Sequence, residues 1–259
     1  MTVFGHIKKF ILIFLKYASL VFFSLVAIIP LVSCVITAFK PDAEYNSTNV
    51  MTPPSSWLYF ENFVSAFKKA GMGRAFINST IILIAVLILS VFIGTQLAYV
   101  LNRFQFFGNT LIRNLFLVAC QLPGVAMQIA VYEMMYKLGF INNMFGYILM
   151  TCGTDVISIY IYIQFFENID YSLDESAIMD GASYFTIFYK ILLPLLKPAI
   201  VTACILKGVG TYNEYYNANL YLQDKKRYAT VATSLYTFVG PLGSKYNLIC
   251  AGVIISLLP

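Results

Sequence analysis

INSTIILIAVLILSVFIGTQLAYVL, residues Ile77–Leu101, runs for 25 residues without a formal charge. A helix needs roughly 20 residues to cross about 30 Å of hydrocarbon, so this stretch is long enough to span a bilayer. Upstream, Phe10–Phe39 has the same character, broken only by Lys16 and Pro30. Downstream lie three apolar runs with polar residues inside them. Leu111–Tyr136 holds Gln121, Pro123, Gln128 and Glu133; Phe145–Phe166 holds Asp155; the run from Pro194 to Tyr216 holds Lys207, Asn213 and Glu214. A sixth, Leu248–Leu258, has 11 residues and is too short to cross. The sequence therefore predicts an all-α membrane protein of about six spans, near residues 10–39, 77–101, 111–136, 145–166, 195–216 and 248–259. The last is expected to be incomplete, cut at Pro259. Only helices or closed barrels satisfy the backbone in lipid, and residues 1–259 read as a single helical domain.

Composition agrees. The 259 residues are 59% hydrophobic and 11% charged, with a mean hydropathy of +0.77. Soluble domains are about 45–50% apolar and about 25% charged. The net charge of +5 would suggest a nucleic-acid partner in a soluble protein. Here the basic residues flank apolar runs, as interfacial anchors do, and no nucleic-acid partner is expected. The five cysteines are scattered and read as small buried hydrophobes. His6 is the only histidine, and no H-E-x-x-H, D-x-x-D or G-x-S-x-G pattern appears, so neither a metal site nor a catalytic constellation is expected. Counting Lys and Arg on alternate sides does not settle the orientation.

The loop Glu167–Leu193 is half polar and looks like two short helices. Within it lies SLDESAIMDGASYFTIFYKILLP, Ser172–Pro194. Ser172 and Glu175 have the spacing of a capping box, and Asp174 and Glu175 fall in a first turn, where the helix dipole favours negative charge. Gly181 permits the turn that ends this helix. Ser183 can cap a second helix over Tyr184–Leu193, with Pro194 and Pro198 opening the next span. A mere connector would not need such defined geometry.

This segment resembles the EAA loop of permeases from binding-protein-dependent ABC importers: E-A-A, three residues, G, nine residues, I-x-L-P. Glu175, Ala177, Gly181, Ile191, Leu193 and Pro194 stand at those spacings, with Ser176 for the middle alanine. The resemblance implies a short coupling helix, Asp174–Asp180, that seats on a cytoplasmic ATPase, with Gly181 and Ala182 at its end. An amphipathic helix lying on lipid would carry a basic face, and this one has none. Other pieces narrow the resemblance to the carbohydrate-importer branch and its smaller, maltose-type permease. They are Pro54, Trp57 and Glu61-Asn-Phe63; Phe76-Ile-Asn-Ser79; Ala98-Tyr99 with Leu101-Asn-Arg-Phe-Gln-Phe-Phe-Gly108; Leu138-Gly-Phe-Ile-Asn142; and Tyr212-Asn-Glu-Tyr215. It further implies a cytoplasmic N-terminus in the cell membrane, a second homologous permease, a cytoplasmic ATPase dimer and an extracytoplasmic solute-binding protein. ATP and magnesium would belong to the ATPase, because this chain has no G-x-x-x-x-G-K-[ST] loop.

Ionisable residues at membrane depth default to functional candidates. Lys207 and Glu214, seven residues apart, share a helix face, and Asp155 on the preceding span is placed to pair with Lys207. Two readings stand: a structural ion pair, or a polar path for a hydroxylated substrate lined by Lys207, Tyr212, Asn213 and Glu214. The alternatives to a sugar permease are an ABC permease for another small solute, such as an amino acid or polyamine, and a self-sufficient secondary transporter. The latter would leave the EAA-like segment without a role.

Overall fold

The structure, a computed structural model, describes residues 3–153, 155–240 and 243–257. In chain order its helices are α1 (Val3–Ala38), α2 (Asp42–Ser47), α3 (Glu61–Lys69), α4 (Met72–Arg103), α5 (Asn109–Gln121), α6 (Gly124–Lys137), α7 (Met144–Gly153) and α8 (Val156–Glu167). There follow α9 (Ser172–Met179), α10 (Tyr184–Thr186), a π-helical turn over Ile187–Leu192, α11 (Leu193–Leu195), α12 (Lys197–Asn213), α13 (Tyr216–Tyr221), α14 (Lys225–Tyr228) and α15 (Val231–Ser234). A 3₁₀ turn over Leu235–Phe238, a two-residue antiparallel hairpin pairing Val239 with Ser244, and α16 (Tyr246–Ser256) complete it.

By length and composition, α1 from Lys9 to Ala38 and α4 each suffice to cross a membrane, and three bent helix pairs raise the total to five. The shorter apolar α16 stands beside them, so the fold is an all-helical membrane protein of about five to six candidate spans. Leu258 and Pro259, where the sixth run was expected to stop, lie outside the described residues.

The expected span over 111–136 is bent, and so is the helix that leads into the span near 195–216. The run over 111–136 is not one helix: α5 and α6 meet at 106°. Pro123 supplies no N–H and pushes the residue before it out of the helical region, and Leu122 is extended at φ −71° and ψ 125°. The expected helix Tyr184–Leu193 continues to Leu195 and then bends by 70° into α12. Its middle widens into the π turn. Pro194 cannot donate to the carbonyl four residues before it, and a wider turn is one of the adjustments helices make at such a gap.

The chain forms two compact units. The first joins the N-terminal residues through Gly73 to the residues from Leu235 onward, with α16 packed on both α1 and α3. Its polar centre ties the loop after α1 in place. Asn62 is buried, and its Nδ2 donates to the carbonyls of Ala38 and Lys40, both at 2.8 Å. Asn247 Nδ2 donates to Asp42 Oδ1 at 2.6 Å. The buried Lys40 ammonium donates to Asn49 O at 2.7 Å and Thr48 Oγ1 at 3.0 Å. Around this, Phe39 packs against Trp57, Phe60 and Phe63.

The second unit, Arg74–Ser234, has two main apolar clusters. One gathers Tyr99, Leu101, Tyr162, Phe166, Ala177, Ile187, Phe188 and Leu192. The other gathers Ile82, Val86, Met135, Tyr147, Ile148 and Tyr221. The Phe76-Ile-Asn-Ser79 segment anchors the stretch that follows α14: Asn78 Nδ2 donates to the carbonyls of Arg227 (3.0 Å) and Ala229 (2.9 Å), and Ser79 Oγ accepts from Val231 N–H (2.9 Å).

A buried carbonyl that loses its donor costs about 1–3 kcal/mol. Asn62→Leu is therefore expected to destabilise the detergent-solubilised protein by about 2 kcal/mol or more, read as a lowered thermal midpoint. Substituting the exposed Ser47 by Ala should shift it by less than about 0.5 kcal/mol.

Candidate functional site: the α9 loop and a polar cavity

The helix expected between the fourth and fifth apolar runs is present as α9, but its N-terminal cap differs from the expected capping box. Ser172 is the first helical residue and makes no capping bond. Asp170, two residues earlier, accepts from the Ser172 N–H at 2.9 Å. That bond lowers the Asp170 pKa by favouring its charged form. An aspartate before the first turn satisfies an orphan donor as a serine cap would. The other end follows expectation. Gly181 sits at φ +81°, its N–H donates to Ile178 O, and Ala182 N–H reaches back to Ala177 O, each at 2.9 Å. This is a Schellman closure, which needs a residue free to take positive φ. Ser183 caps α10 by accepting from Thr186 N–H.

The residues expected to face an ATPase divide into two edges. Asp174 and Ala177 point inward and are buried within this chain. Glu175, Ser176, Asp180 and Gly181 are exposed, together with Ile178 and, at 86% exposure, Met179. Further on, Phe185 is 75% exposed and Pro194 is also outside, while Ala182, Ile191 and Leu193 are half-buried. Ala177 packs in the cluster with Tyr99 and Phe188. Asp174 meets Arg103, the last residue of α4, at 3.2 Å. Burial pushes the Asp174 pKa up, against the pull of that guanidinium. Sequence reading had placed Arg103 only within a resemblance; its position at the end of an apolar run was the available signal.

A second constellation lies between α7, α8 and α12. A cavity of about 310 Å³ is lined by Tyr147, Thr151, Asp155, Lys207, Glu214 and Asn217, among others. Lys207 Nζ lies 3.9 Å from Asp155 Oδ1 and donates to Thr151 O at 2.8 Å. Glu214 Oε1 accepts from Asn217 N–H at 2.9 Å, bridging the break between α12 and α13. The expected pair and the shared face of Lys207 and Glu214 are thus both present. Tyr212 and Asn213 are not among the lining residues: Tyr212 packs with Ala75, Ala229 and Val231, and Asn213 Nδ2 bonds back to Val209 O at 3.0 Å.

A multi-span helical protein with a short, capped helix presented outside its spans and a polar cavity between them has the build of a membrane transport component. The sequence profile of the family described as "Binding-protein-dependent transport system inner membrane component" matches residues 87–258, and the chain belongs to that family. It is an inner-membrane, multi-pass permease subunit of an ABC import system, a transport subunit whose partners hydrolyse ATP and bind the solute. It is 27% identical over 252 residues to the arabinooligosaccharides transport system permease protein AraQ of Halalkalibacterium halodurans, covering 96% of this chain and 89% of that one. It is 29% identical over 233 residues to the melibiose/raffinose/stachyose import permease protein MelC of Bacillus subtilis, covering 89% and 83%. In fold it is similar to a chain of a bacterial ABC transporter involved in the import of the acidic polysaccharide alginate, with a TM-score of 0.86 at 21% identity, over 97% of this chain and 93% of that one.

The cap assignment is checked by hydrogen exchange. Asp170→Ala should speed exchange of the amides at the start of α9, whereas Ser172→Ala should leave them protected. Because the folded Asp170 pKa is depressed, its contribution is present above the ordinary aspartate value of about 3.9. It is lost as pH falls through the lower folded value, so protection there should decline at acidic pH.

Proposed function

We propose that this chain is the permease of an ATP-driven sugar or oligosaccharide importer, with residues 1–259 working as one transmembrane domain and α9 as its coupling helix. The observation that carries the coupling role is the division of α9. Its inner edge is fixed by Asp174 and Ala177, while Glu175, Ser176, Ile178, Met179 and Asp180 are offered outward. An exposed apolar strip with acidic neighbours and no basic residue suits a groove on a protein better than an anionic lipid surface.

On this reading the α9 loop and the N-terminus are cytoplasmic, and a dimer of ATPases carries ATP and magnesium. A second, similar permease completes the membrane assembly, and a solute-binding protein docks outside. The sugar assignment draws on the relatives named above, both designated for oligosaccharides, and on the cavity beside α12. Its carboxylates, amide and hydroxyls are the groups that hydrogen-bond polyhydroxylated ligands, and its volume falls at the small end of ligand pockets, about 300–1,000 Å³. Lys207 and Glu214 would line the path; Asp155 would hold the Lys207 ammonium; Tyr212 and Asn213 would support the wall from behind.

Uptake of labelled oligosaccharides by cells carrying the complete importer tests this reading. Gly181→Pro and Glu175→Lys should leave membrane insertion intact and abolish uptake, the first by breaking the turn and the second by reversing a charge on the docking edge. Normal uptake by both variants would remove the coupling assignment. Uptake of amino acids or polyamines in place of sugars would remove the substrate assignment.

A further inference from the structure

We infer that Arg103 is the positioning residue that joins the coupling helix to the membrane span α4, so that displacement of α9 is delivered to that span through one buried ion pair. The inference rests on the coupling role proposed for α9. The Arg103 and Asp174 side chains are only 6% and 7% exposed, with Nη2 and Oδ2 3.2 Å apart. The same guanidinium donates from Nη2 to Ile169 O at 2.9 Å and lies 4.9 Å from the centre of the Tyr171 ring. Tyr171 Oη donates back to the Arg103 carbonyl at 2.9 Å. The approach to α9, its first turn and the end of α4 are thus gathered on one side chain.

Stability alone does not account for this arrangement. Replacing a buried ion pair by apolar side chains of similar volume is often neutral or stabilising, and the neighbouring cluster around Tyr99 and Phe188 is already apolar. What an arginine adds is direction: a planar, always charged fork that fixes the orientation of the group it holds. The pair is also incompletely made. Arg103 Nε is buried without a hydrogen-bond partner, so the fork keeps one unused donor with which to realign on the carboxylate as α9 moves. The opposite end of α9 is closed by the Gly181 turn and by the packing of Ala177, and among the described residues it has no ion pair comparable to Arg103–Asp174.

The test uses the complete importer reconstituted in liposomes. It measures solute imported per ATP hydrolysed and the stimulation of hydrolysis by the solute-binding protein. The double variant Arg103→Met/Asp174→Leu removes the charges together and avoids stranding either one. It should assemble with its ATPase yet lose about tenfold or more in import per ATP, the scale of coupling free energies between sites. The swapped pair Arg103→Asp/Asp174→Arg should recover part of the loss. Wild-type import per ATP in the assembled double variant would overturn the inference. If that variant fails to assemble, Arg103→Lys decides, since it keeps the charge without the fork: weakened stimulation supports the inference and full stimulation overturns it. Glu175→Lys in the same assay separates the two levels. Loss of import there with normal import in the Arg103 variants sinks only the Arg103 assignment, while normal import by both Glu175→Lys and Gly181→Pro sinks the coupling reading beneath it.

Discussion

A helix end leaves carbonyls and amides without intrahelical partners, and the breaks described in this chain have to answer that constraint. The answer is repeatedly a short amide or carboxylate side chain. Asn62 closes the end of α1 through the carbonyls of Ala38 and Lys40. Asn109 does the same after α4, its Nδ2 donating to Leu101 O at 3.1 Å and Phe104 O at 2.6 Å. Asn78 holds the segment after α14, and Asn142 Oδ1 accepts the Asp224 N–H at 2.8 Å. Glu214 and Asp170 serve the same need at α13 and α9. Satisfied in this way, these breaks hold a defined geometry.

That defined geometry gives the α9 loop its mechanical meaning. A helix of eight residues is far below the length at which isolated helices hold together in water, about 12–15 residues. Its shape is imposed by the Asp170 cap, the Gly181 turn and the buried side chains Asp174 and Ala177. A helix so held keeps its exposed edge in register with the spans beneath it. On the proposed coupling role, movement imposed at Met179 or Glu175 would reach the bundle as displacement of packed elements.

Much of this was legible in the sequence, and the failures have physical causes. Apolar run length gave the all-helical class and the number of candidate spans, because transfer into hydrocarbon depends on composition. The same measure is blind to direction, so the 106° turn at Pro123 was read as a straight helix. Gly181 and Ser183 were placed correctly because positive φ and a capping hydroxyl are strongly tied to residue type. The Ser172–Glu175 box failed because Asp170 offered a carboxylate two residues earlier. Spacing alone put Lys207 and Glu214 on one face and Asp155 across from them. The same spacing sets Tyr212 and Asn213, five and six residues beyond Lys207, on other faces of α12, and they lie off the cavity. Asp174 was assigned outward from its place in a motif, whereas its neighbour in space, Arg103, is 71 positions earlier in the sequence and invisible to local reading.

The most direct test of the account is site-specific photo-crosslinking from α9 in the intact complex. A photoreactive residue at Met179 should attach to the P-loop ATPase partner in high yield, because that side chain is almost fully exposed at the outer edge. Attachment at Met179 to lipid alone, with no ATPase adduct, would contradict the assignment of α9 as the coupling helix.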